Sequence, residues 1–294
     1  MTTRTRERRS RHDRRRSAKR ARRLRLIGLG IALGLFAGLV YGIRWPMHLH
    51  RHWHITETIP LSRPNSLALD DDGALRYVTQ ATIPGALVRL TDTRPKLVFG
   101  DFGEPDGLLV EDRILTVSEA EDDGRVMAYN RDTARLRVLA RMQRPEGLLR
   151  RPDGSLVVAQ NVPEGRLWVL RDDAEPAVLV EGLNKPESLC NLPDGRIGIA
   201  ESGRGRIVAY GPQGLEVLAD DLDNIDRLAC PADGSLWAVI SRVRSGRLVH
   251  IVDGRHRTIA RHLRQPQGIV LLPDGSLYLA ESRANRVLRL APRD

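Results

Sequence analysis

Residues 266–282 read Pro-Gln-Gly-Ile-Val-Leu-Leu-Pro-Asp-Gly-Ser-Leu-Tyr-Leu-Ala-Glu-Ser, a pattern that the chain repeats. It begins with a proline-containing opening and continues as an apolar run, an Asp-Gly turn and a second apolar run. Asp-Gly between two apolar runs is a strong signal for a β-hairpin, because glycine adopts the positive φ that the turn requires. The stretch therefore predicts two neighbouring strands of an antiparallel sheet.

The opening occurs six times at nearly constant spacing. The six copies are Arg63-Pro64-Asn65-Ser66, Glu104-Pro105-Asp106-Gly107, Arg144-Pro145-Glu146-Gly147, Lys185-Pro186-Glu187-Ser188, Asn224-Ile225-Asp226-Arg227 and Gln265-Pro266-Gln267-Gly268. Their second residues are separated by 41, 40, 41, 39 and 41 positions. Apolar segments for a third strand follow each hairpin, and segments for a fourth strand follow in five units. A unit of about 40 residues with four short strands is typical of a β-propeller blade.

The fourth strand that the sixth unit lacks stands at the other end of the repeats. Residues 55–61 precede Pro64 just as residues 258–263 precede Pro266. A propeller closes by this exchange, in which the N-terminal strand completes the last blade and removes its open edge. The sequence thus predicts an all-β, six-bladed β-propeller over residues 55–294, closed by its N-terminal strand and without a second domain.

The positive charge of the chain belongs to a tail rather than to the propeller. Of the 294 residues 41% are hydrophobic and 29% charged, which excludes a disordered or collagen-like chain. Residues 1–25 hold twelve Arg and Lys19 against Glu7 and Asp13, a net charge of +11. Because the whole chain carries +10, the other 269 residues carry −1. Nucleic acid is therefore not an expected partner of the folded body.

Residues 26–43 form an uncharged segment between Arg25 and Arg44. Eighteen residues at helical rise span about 27 Å, enough for a bilayer core. A cleaved signal peptide is the alternative, but residues 41–46 offer no small-residue cleavage site, which favours an uncleaved single-pass anchor. The excess of arginine before the segment predicts that tail 1–25 is cytoplasmic, touching anionic lipid. Residues 44–54 would then be a juxtamembrane linker, and the propeller would lie outside the inner membrane, in the periplasm.

Two residue patterns near this segment leave alternatives open. A glycine stripe predicts either a transmembrane dimer or simply a membrane helix, in which glycine is common; it contains Gly30, Gly34, Gly38 and Gly42. Alternating histidines share one face of an extended strand, where they could bind Zn, Cu or Ni, or else belong to a solvated linker. They are His48, His50, His52 and His54.

The third residue of each opening carries a side-chain oxygen, and we call these six the ring residues. They are Asn65, Asp106, Glu146, Glu187, Asp226 and Gln267. Because the first strand of each blade lines the central channel, the six side chains should converge, and their carboxylates would repel unless protonated or neutralised by a cation. Six to eight oxygen ligands suit Ca²⁺ better than Mg²⁺, so the sequence predicts a bound divalent cation. Alternatively, the acids pair with Arg63, Arg144 and Lys185, or cap turns and point to solvent.

Further polar residues are expected near the same channel mouth. At the ends of the second strands stand Glu119, Gln160, Glu201 and Glu281. They are expected to accept hydrogen bonds from backbone amides of the following turn, or else to support a bound metal. His262 lies in the connection that leads to Gln267 and is either a candidate general base and substrate contact or a solvated loop histidine.

Cys190 and Cys230 occupy nearly matching places in adjacent blades. In an oxidising compartment they could form a disulfide, whereas buried apolar thiols are the default interpretation of two cysteines. The sequence contains no Gly-x-Ser-x-Gly, His-Glu-x-x-His or Cys-x-x-Cys motif and no phosphate-binding glycine loop. The sequence therefore contains none of these motifs from which a reaction could be identified.

The blade at 266–282 resembles an NHL-type repeat and is similar to blades of the senescence-marker-protein/gluconolactonase family. The resemblance covers residues 55–294. Members of that family bind one divalent metal, often Ca²⁺, in the channel and open sugar lactones. Their Pro-Asp-Gly pattern, followed by Cys and Gly-x-Leu-Trp-Val-Ala, is similar to Ile225-Asp226-Arg227, Cys230 and residues 234–239. The resemblance implies that Asp226 is both a metal ligand and the catalytic base.

Other positions depart from the family pattern. Arg144-Pro145-Glu146-Gly147 looks like the family's substrate-side Arg-x-Asn-Asp-Gly, which implies that Arg144 contacts substrate and that Glu146 replaces an Asn. The family's ligand Asn falls on Glu187, and its first-blade Glu falls on Asn65. Arg227 stands where the family has Gly beside the Asp. This chain thus has polar residues at the same ring positions as the family, but several of the residue types differ.

Two functions from different classes follow from these patterns. The first is a membrane-anchored, periplasmic hydrolase in which Ca²⁺ or another divalent cation polarises the carbonyl of a lactone or ester while Asp226 activates water. The second is a non-catalytic NHL-like propeller that binds a protein or envelope ligand on one face. A lyase or oxidoreductase on the same scaffold has no cofactor motif in its favour.

Overall fold

The computed structural model describes residues 46–70, 73–82, 84–91, 94–172 and 174–293. Within these ranges the regular structure consists of β-strands and two single-turn 3₁₀ helices, Ser202–Arg204 and Ser282–Ala284. The basic tail and the predicted anchor at 26–43 lie outside the described residues. No helix in the described ranges has the length and apolar character that crossing a membrane requires.

The strands form six antiparallel sheets, which are the predicted blades. Two strands precede the first blade, β1 (His48–Leu49) and β2 (Trp53–Pro60). Blade 1 contains β3 (Pro64–Leu69), β4 (Leu75–Gln80), β5 (Gly85–Arg89) and β6 (Lys96–Phe102). Blade 2 contains β7 (Pro105–Glu111), β8 (Ile114–Glu119), β9 (Gly124–Asn130) and β10 (Arg135–Met142). Blade 3 contains β11 (Pro145–Arg150), β12 (Leu156–Gln160), β13 (Gly165–Arg171) and β14 (Ala174–Leu183).

The remaining blades continue this order around the channel. Blade 4 contains β15 (Pro186–Asn191), β16 (Ile197–Glu201), β17 (Arg206–Gly211) and β18 (Gly214–Ala219). Blade 5 contains β19 (Ile225–Ala229), β20 (Leu236–Ile240), β21 (Gly246–Val252) and β22 (Arg255–Leu263). Blade 6 contains β23 (Pro266–Leu271), β24 (Leu277–Glu281) and β25 (Arg286–Pro292).

The N-terminal strand closes the propeller as predicted. β2 pairs antiparallel with β25, with Ile55 opposite Leu290 and Thr58 opposite Leu288. β1, which falls inside the segment predicted as a linker, pairs with β22 and gives blade 5 a fifth strand. The N-terminal segment is therefore joined to two blades at once, through β1 to blade 5 and through β2 to blade 6.

The blades are held together by apolar side chains on the faces of their inner strands. Every residue of β16, β20 and β24 is buried, whereas β18, an outer fourth strand, is mostly exposed. A strand covered on both faces needs apolar residues at successive positions rather than at alternate ones. This explains why the second strands read as short continuous apolar runs in the sequence.

The six first strands pack side by side around the channel in the order β3, β7, β11, β15, β19 and β23, which returns to β3. Their backbones approach closely. A Cβ atom on Gly107 would overlap the carbonyl oxygen of Glu146, and one on Gly268 would overlap the carbonyl oxygen of Asn65. At these two positions glycine is thus required by the approach of the next blade.

Cys190 in β15 and Cys230 just after β19 form a disulfide, with their Cα atoms 5.9 Å apart. The default interpretation of two buried free thiols is therefore wrong. The bond joins the innermost strands of blades 4 and 5 and closes a loop across 40 positions of sequence. The repeat places the two cysteines at nearly matching positions of neighbouring blades, which brings them close together.

We expect the disulfide to stabilise the propeller chiefly by restricting the unfolded chain. A cross-link over a loop of this length contributes about 2–4 kcal/mol to the free energy of unfolding. Urea denaturation of the wild type and of the Cys190→Ala/Cys230→Ala double variant should show that loss in the variant. Reduction should lower the wild-type midpoint to a similar extent and leave that of the variant unchanged; an unaffected wild-type midpoint would contradict the prediction.

Candidate functional site

A repeated turn places the ring residues at one level of the channel. In five blades the first residue of the four-residue opening has positive φ. These residues are Arg63, Arg144, Lys185, Asn224 and Gln265. The carbonyl oxygen of this first residue accepts a hydrogen bond from the amide that follows the second strand of the same blade. Examples are Asn161 N to Arg144 O at 2.9 Å and Ser202 N to Lys185 O at 3.1 Å. The predicted ring is thus set by the backbone.

Arg227 extends across the channel. Its Nη2 donates a hydrogen bond to Asp106 Oδ1 at 2.7 Å and lies 3.4 Å from Asn65 Oδ1. Asp106 belongs to blade 2, which lies opposite blade 5 in a ring of six. The side chains of Arg227 and Asp106 are only 11% and 14% exposed. An ion pair this well screened from solvent needs its hydrogen bonds satisfied to be stable.

Asn65 completes the contacts on the blade 1 side. It is 2% exposed, and its Nδ2 donates to Pro105 O at 3.0 Å and to Asp106 Oδ2 at 3.4 Å. Both oxygens of Asp106 are therefore used, one by a guanidinium and the other by an amide. Asn65, Asp106 and Arg227 form one hydrogen-bonded group that connects blades 1, 2 and 5.

Glu146 is buried and both of its carboxyl oxygens have partners. Oε1 accepts from Arg144 Nη2 at 3.1 Å, and Oε2 accepts from Asn161 Nδ2 at 2.5 Å. Burial, followed by the charges of Asp106 and Glu187, nevertheless holds the pKa of Glu146 well above its ordinary value. The predicted pairing of Arg144 with the ring is confirmed for this carboxyl.

The carboxyl groups of Glu187 and Asp226 titrate near neutral pH. Burial, with the charges of Asp226 and Asp106, raises the pKa of Glu187 to about 8, against a hydrogen bond with Ser202. Burial also raises the pKa of Asp226 to about 7, although Arg227 lowers it and hydrogen bonds with Ser241 and Gln267 oppose the shift. Groups with such pKa values are suited to general acid–base catalysis near neutral pH.

The polar residues at the ends of the second strands have a structural role. The carboxyl groups of Glu119, Glu201 and Glu281 accept hydrogen bonds from backbone amides at 3.2, 2.8 and 2.7 Å. The expected amide contacts are confirmed, but the donors lie in the connection before the first strand of the blade, not in the following turn. The donors are Gly103, Asn184 and Arg264. Arg125, Arg206 and Arg286 pair with the same three carboxylates, and Gln160 accepts from Trp168 Nε1 at 3.1 Å.

A cavity of about 590 Å³ opens at the channel mouth beside blades 3 and 4, and we call it the mouth cavity. It is lined by Gln143, Arg144, Asn161, Val162, Pro163, Lys185 and Glu187. Glu187 is the ring residue that reaches its surface, and Lys185 is exposed. A second space of about 140 Å³ is lined by residues of all six first strands, which include aliphatic side chains, Ser66, Ser188 and Arg227.

His262 lies outside the mouth cavity. Its ring faces that of His48, with centroids 6.2 Å apart. His50 and His52 contact each other at 5.3 Å. Within the described ranges, no group of three or more His, Cys, Asp or Glu side chains is arranged to hold a metal ion. The structure therefore does not bring His262 to the ring residues or gather the alternating histidines into a metal-binding group.

The ring residues do not fit the predicted divalent cation in this arrangement. Both oxygens of Asp106 and both oxygens of Glu146 already accept hydrogen bonds. Among the described ring residues, Asp226 Oδ1 and Gln267 Oε1 are the buried oxygens without a partner. Ca²⁺ takes 6–8 oxygen ligands, so two oxygens are too few while the Arg227 guanidinium remains between the blades.

Arg227 is the residue whose role sequence reasoning missed. A signal was present, because the residues after the other five ring positions are small. They are Ser66, Gly107, Gly147, Ser188 and Gly268. A second signal is that Ala81 and Ala120 follow the second strands of blades 1 and 2, where blades 3, 4 and 5 have Asn161, Ser202 and Ser241. Asn65 and Asp106 thus lack a polar partner within their own blade and require one from elsewhere.

The raised pKa values predict that the protein loses stability as pH rises from about 5 to 8. In the folded protein Glu187 and Asp226 keep protons up to about pH 8 and 7, whereas their ordinary values are 4.5 and 3.8. The folded state therefore binds more protons in this window, so the free energy of unfolding falls with increasing pH. Thermal denaturation of Glu187→Gln should show a weaker fall than the wild type.

Glu175→Gln is the matched control for this measurement, because Glu175 is exposed. Its melting temperature should follow the wild-type pH dependence. A wild-type melting temperature that rises between pH 5 and 8 would contradict the prediction.

Comparison with known proteins supports the fold. No protein-family model and no curated protein sequence matches the chain. A streptogramin B lyase structure has a TM-score of 0.59 at 15% identity, covering 84% of this chain and 98% of that one. A putative gluconolactonase has a TM-score of 0.64 at 15% identity, covering 80% and 92%. A calcium-binding regucalcin from Agrobacterium tumefaciens has a TM-score of 0.63 at 18% identity, covering 80% and 91%. At these sequence identities the similarity establishes the six-bladed propeller fold, and the chemistry has to be inferred from the residues of the site.

Proposed function

We propose that this protein is a small-molecule hydrolase or lyase that cleaves an ester or lactone C–O bond in the mouth cavity. The observation that carries the proposal is the composition of that cavity, where the Glu187 carboxyl and the cations of Arg144 and Lys185 line one open space of about 590 Å³. A cavity of this size accommodates a small ligand. Structures named as a gluconolactonase and as a streptogramin B lyase share the propeller fold, which supports this class of reaction.

The cavity residues can perform the two tasks that both reactions need. Cleavage of an ester C–O bond requires transfer of a proton and stabilisation of negative charge on oxygen. Glu187, with a pKa of about 8, can donate a proton to a leaving oxygen near neutral pH and accept one when ionised. Arg144 and Lys185 supply positive charge at the rim. Asp226, the predicted catalytic base, does not line the cavity and acts on Glu187 through its charge.

Replacement of Glu187 by Gln tests this assignment. The variant keeps the size of the side chain and removes proton transfer, which contributes about 10²–10⁴-fold to catalysis. We expect turnover of a panel of nitrophenyl esters and lactones to fall by at least about a hundredfold in kcat. Glu175→Gln, a substitution of the same kind on the exposed surface, should keep wild-type rates.

Two results would contradict the proposal. One is equal turnover by the wild type and Glu187→Gln. The other is a folded wild-type protein that turns over none of the panel, which would favour the non-catalytic propeller that binds a ligand on one face.

We further propose that the propeller is held at the inner membrane, with its blades in the periplasm. The uncharged segment 26–43 supports an anchor, and the disulfide of Cys190 and Cys230 fits an oxidising compartment. We expect the full-length protein to sediment with membranes and the propeller to be digested by protease added to spheroplasts.

A charge in the middle of the segment should abolish this location. Leu35→Arg places a cation at the predicted centre of the bilayer, where insertion costs about 2.5–3.5 kcal/mol. Leu97→Arg, at a position 67% exposed on the propeller, is the control and should leave fractionation unchanged. Recovery of the wild-type chain in the soluble fraction would contradict the proposal.

A further inference from the structure

The channel holds more carboxyl groups than its other contacts can neutralise. Four of the six ring residues are acids, and the six first strands that carry the ring pack side by side around the channel. Carboxylates that converge in a poorly solvated site must keep protons or face a cation. One of them, Asp106 of blade 2, receives the guanidinium of Arg227 from the opposite blade 5.

We infer that Arg227 is the resident cation of the channel, that it takes the place a divalent metal would occupy among these oxygens, and that removing it converts the ring into a metal-binding site. The contacts support the first part. The guanidinium crosses from blade 5 to the opposite blade 2, bonds Asp106 at 2.7 Å and lies within 3.4 Å of Asn65. The inference about Arg227 therefore does not rest on the proposed catalytic activity.

Oxygen atoms of four ring residues support the second part. Without Arg227, Asp106 Oδ1 and Asn65 Oδ1 lose their cationic partner. Asp226 Oδ1 and Gln267 Oε1 are buried and already have no hydrogen-bond partner. The four atoms come from blades 1, 2, 5 and 6, and all are the hard oxygen ligands that Ca²⁺ prefers.

The space that the side chain would vacate also supports the inference. Arg227 lines the cavity of about 140 Å³ inside the channel, and the equivalent positions of the other blades carry only glycine or serine. Truncation to glycine would therefore leave blade 5 with a residue that its neighbours already use at this position. The volume of the guanidinium would open beside Asp106 Oδ1 and Asn65 Oδ1, the two oxygens that it contacts.

The test is to measure calcium binding by isothermal titration calorimetry at pH 8, for the full-length protein and for its Arg227→Gly variant. We expect the variant to bind about one equivalent of Ca²⁺ at least about tenfold more tightly than the wild type. Adding Asp106→Asn to Arg227→Gly should remove the gain, because it neutralises a proposed ligand.

Arg206→Ala is the matched control. It removes an arginine that pairs with the buried carboxylate of Glu201, away from the ring, and should produce no gain in Ca²⁺ affinity. Where Arg227→Gly folds poorly, Ca²⁺ should raise its melting temperature and leave that of the wild type unchanged. Stoichiometric Ca²⁺ in the wild type that is lost in Asp106→Asn, or no gain in Arg227→Gly by either measurement, would overturn the inference.

Discussion

Six first strands converge on one axis, so six polar side chains must share a channel from which most water is excluded. This constraint follows from the repeat, because equivalent positions of a closed propeller always form a ring. A side chain that is solvated in an isolated blade becomes a buried group with five neighbours when the ring closes. The contacts around the channel are the ways in which this chain satisfies those groups.

Two solutions are used on opposite sides of the channel. In blades 3, 4 and 5 the residue after the second strand is polar and contacts the ring residue of its own blade, as Asn161 does for Glu146. Blades 1 and 2 have alanine at that position, and there Arg227 reaches across from blade 5 to Asp106. An arginine is suited to this task because its planar, permanently charged head can contact oxygens of two residues at once.

The fold and the position of the ring could be predicted from the sequence because both depend on spacing. The 39–41-residue repeat determines the number of blades, and the unpaired segment before Pro64 indicates how they close. The role of Arg227 could not be predicted because its partner is 121 positions away and is determined by which blades stand opposite each other. The disulfide and the strand at His48–Leu49 likewise depend on distances between neighbouring blades that the sequence does not contain.

The asymmetry of the ring explains why the mouth cavity lies beside blades 3 and 4. On the opposite side, Asn65 and Asp106 are bonded to each other and to Arg227. Glu187 has no such partner from across the channel, so its carboxyl remains accessible from the mouth cavity while its surroundings keep its pKa high. The guanidinium thus compensates the carboxylate of Asp106 on one side, whereas on the other side the carboxyl group of Glu187 lines the mouth cavity. The proposed acid–base chemistry and the proposed replacement of a metal by Arg227 would both follow from one uneven distribution of charge around the axis.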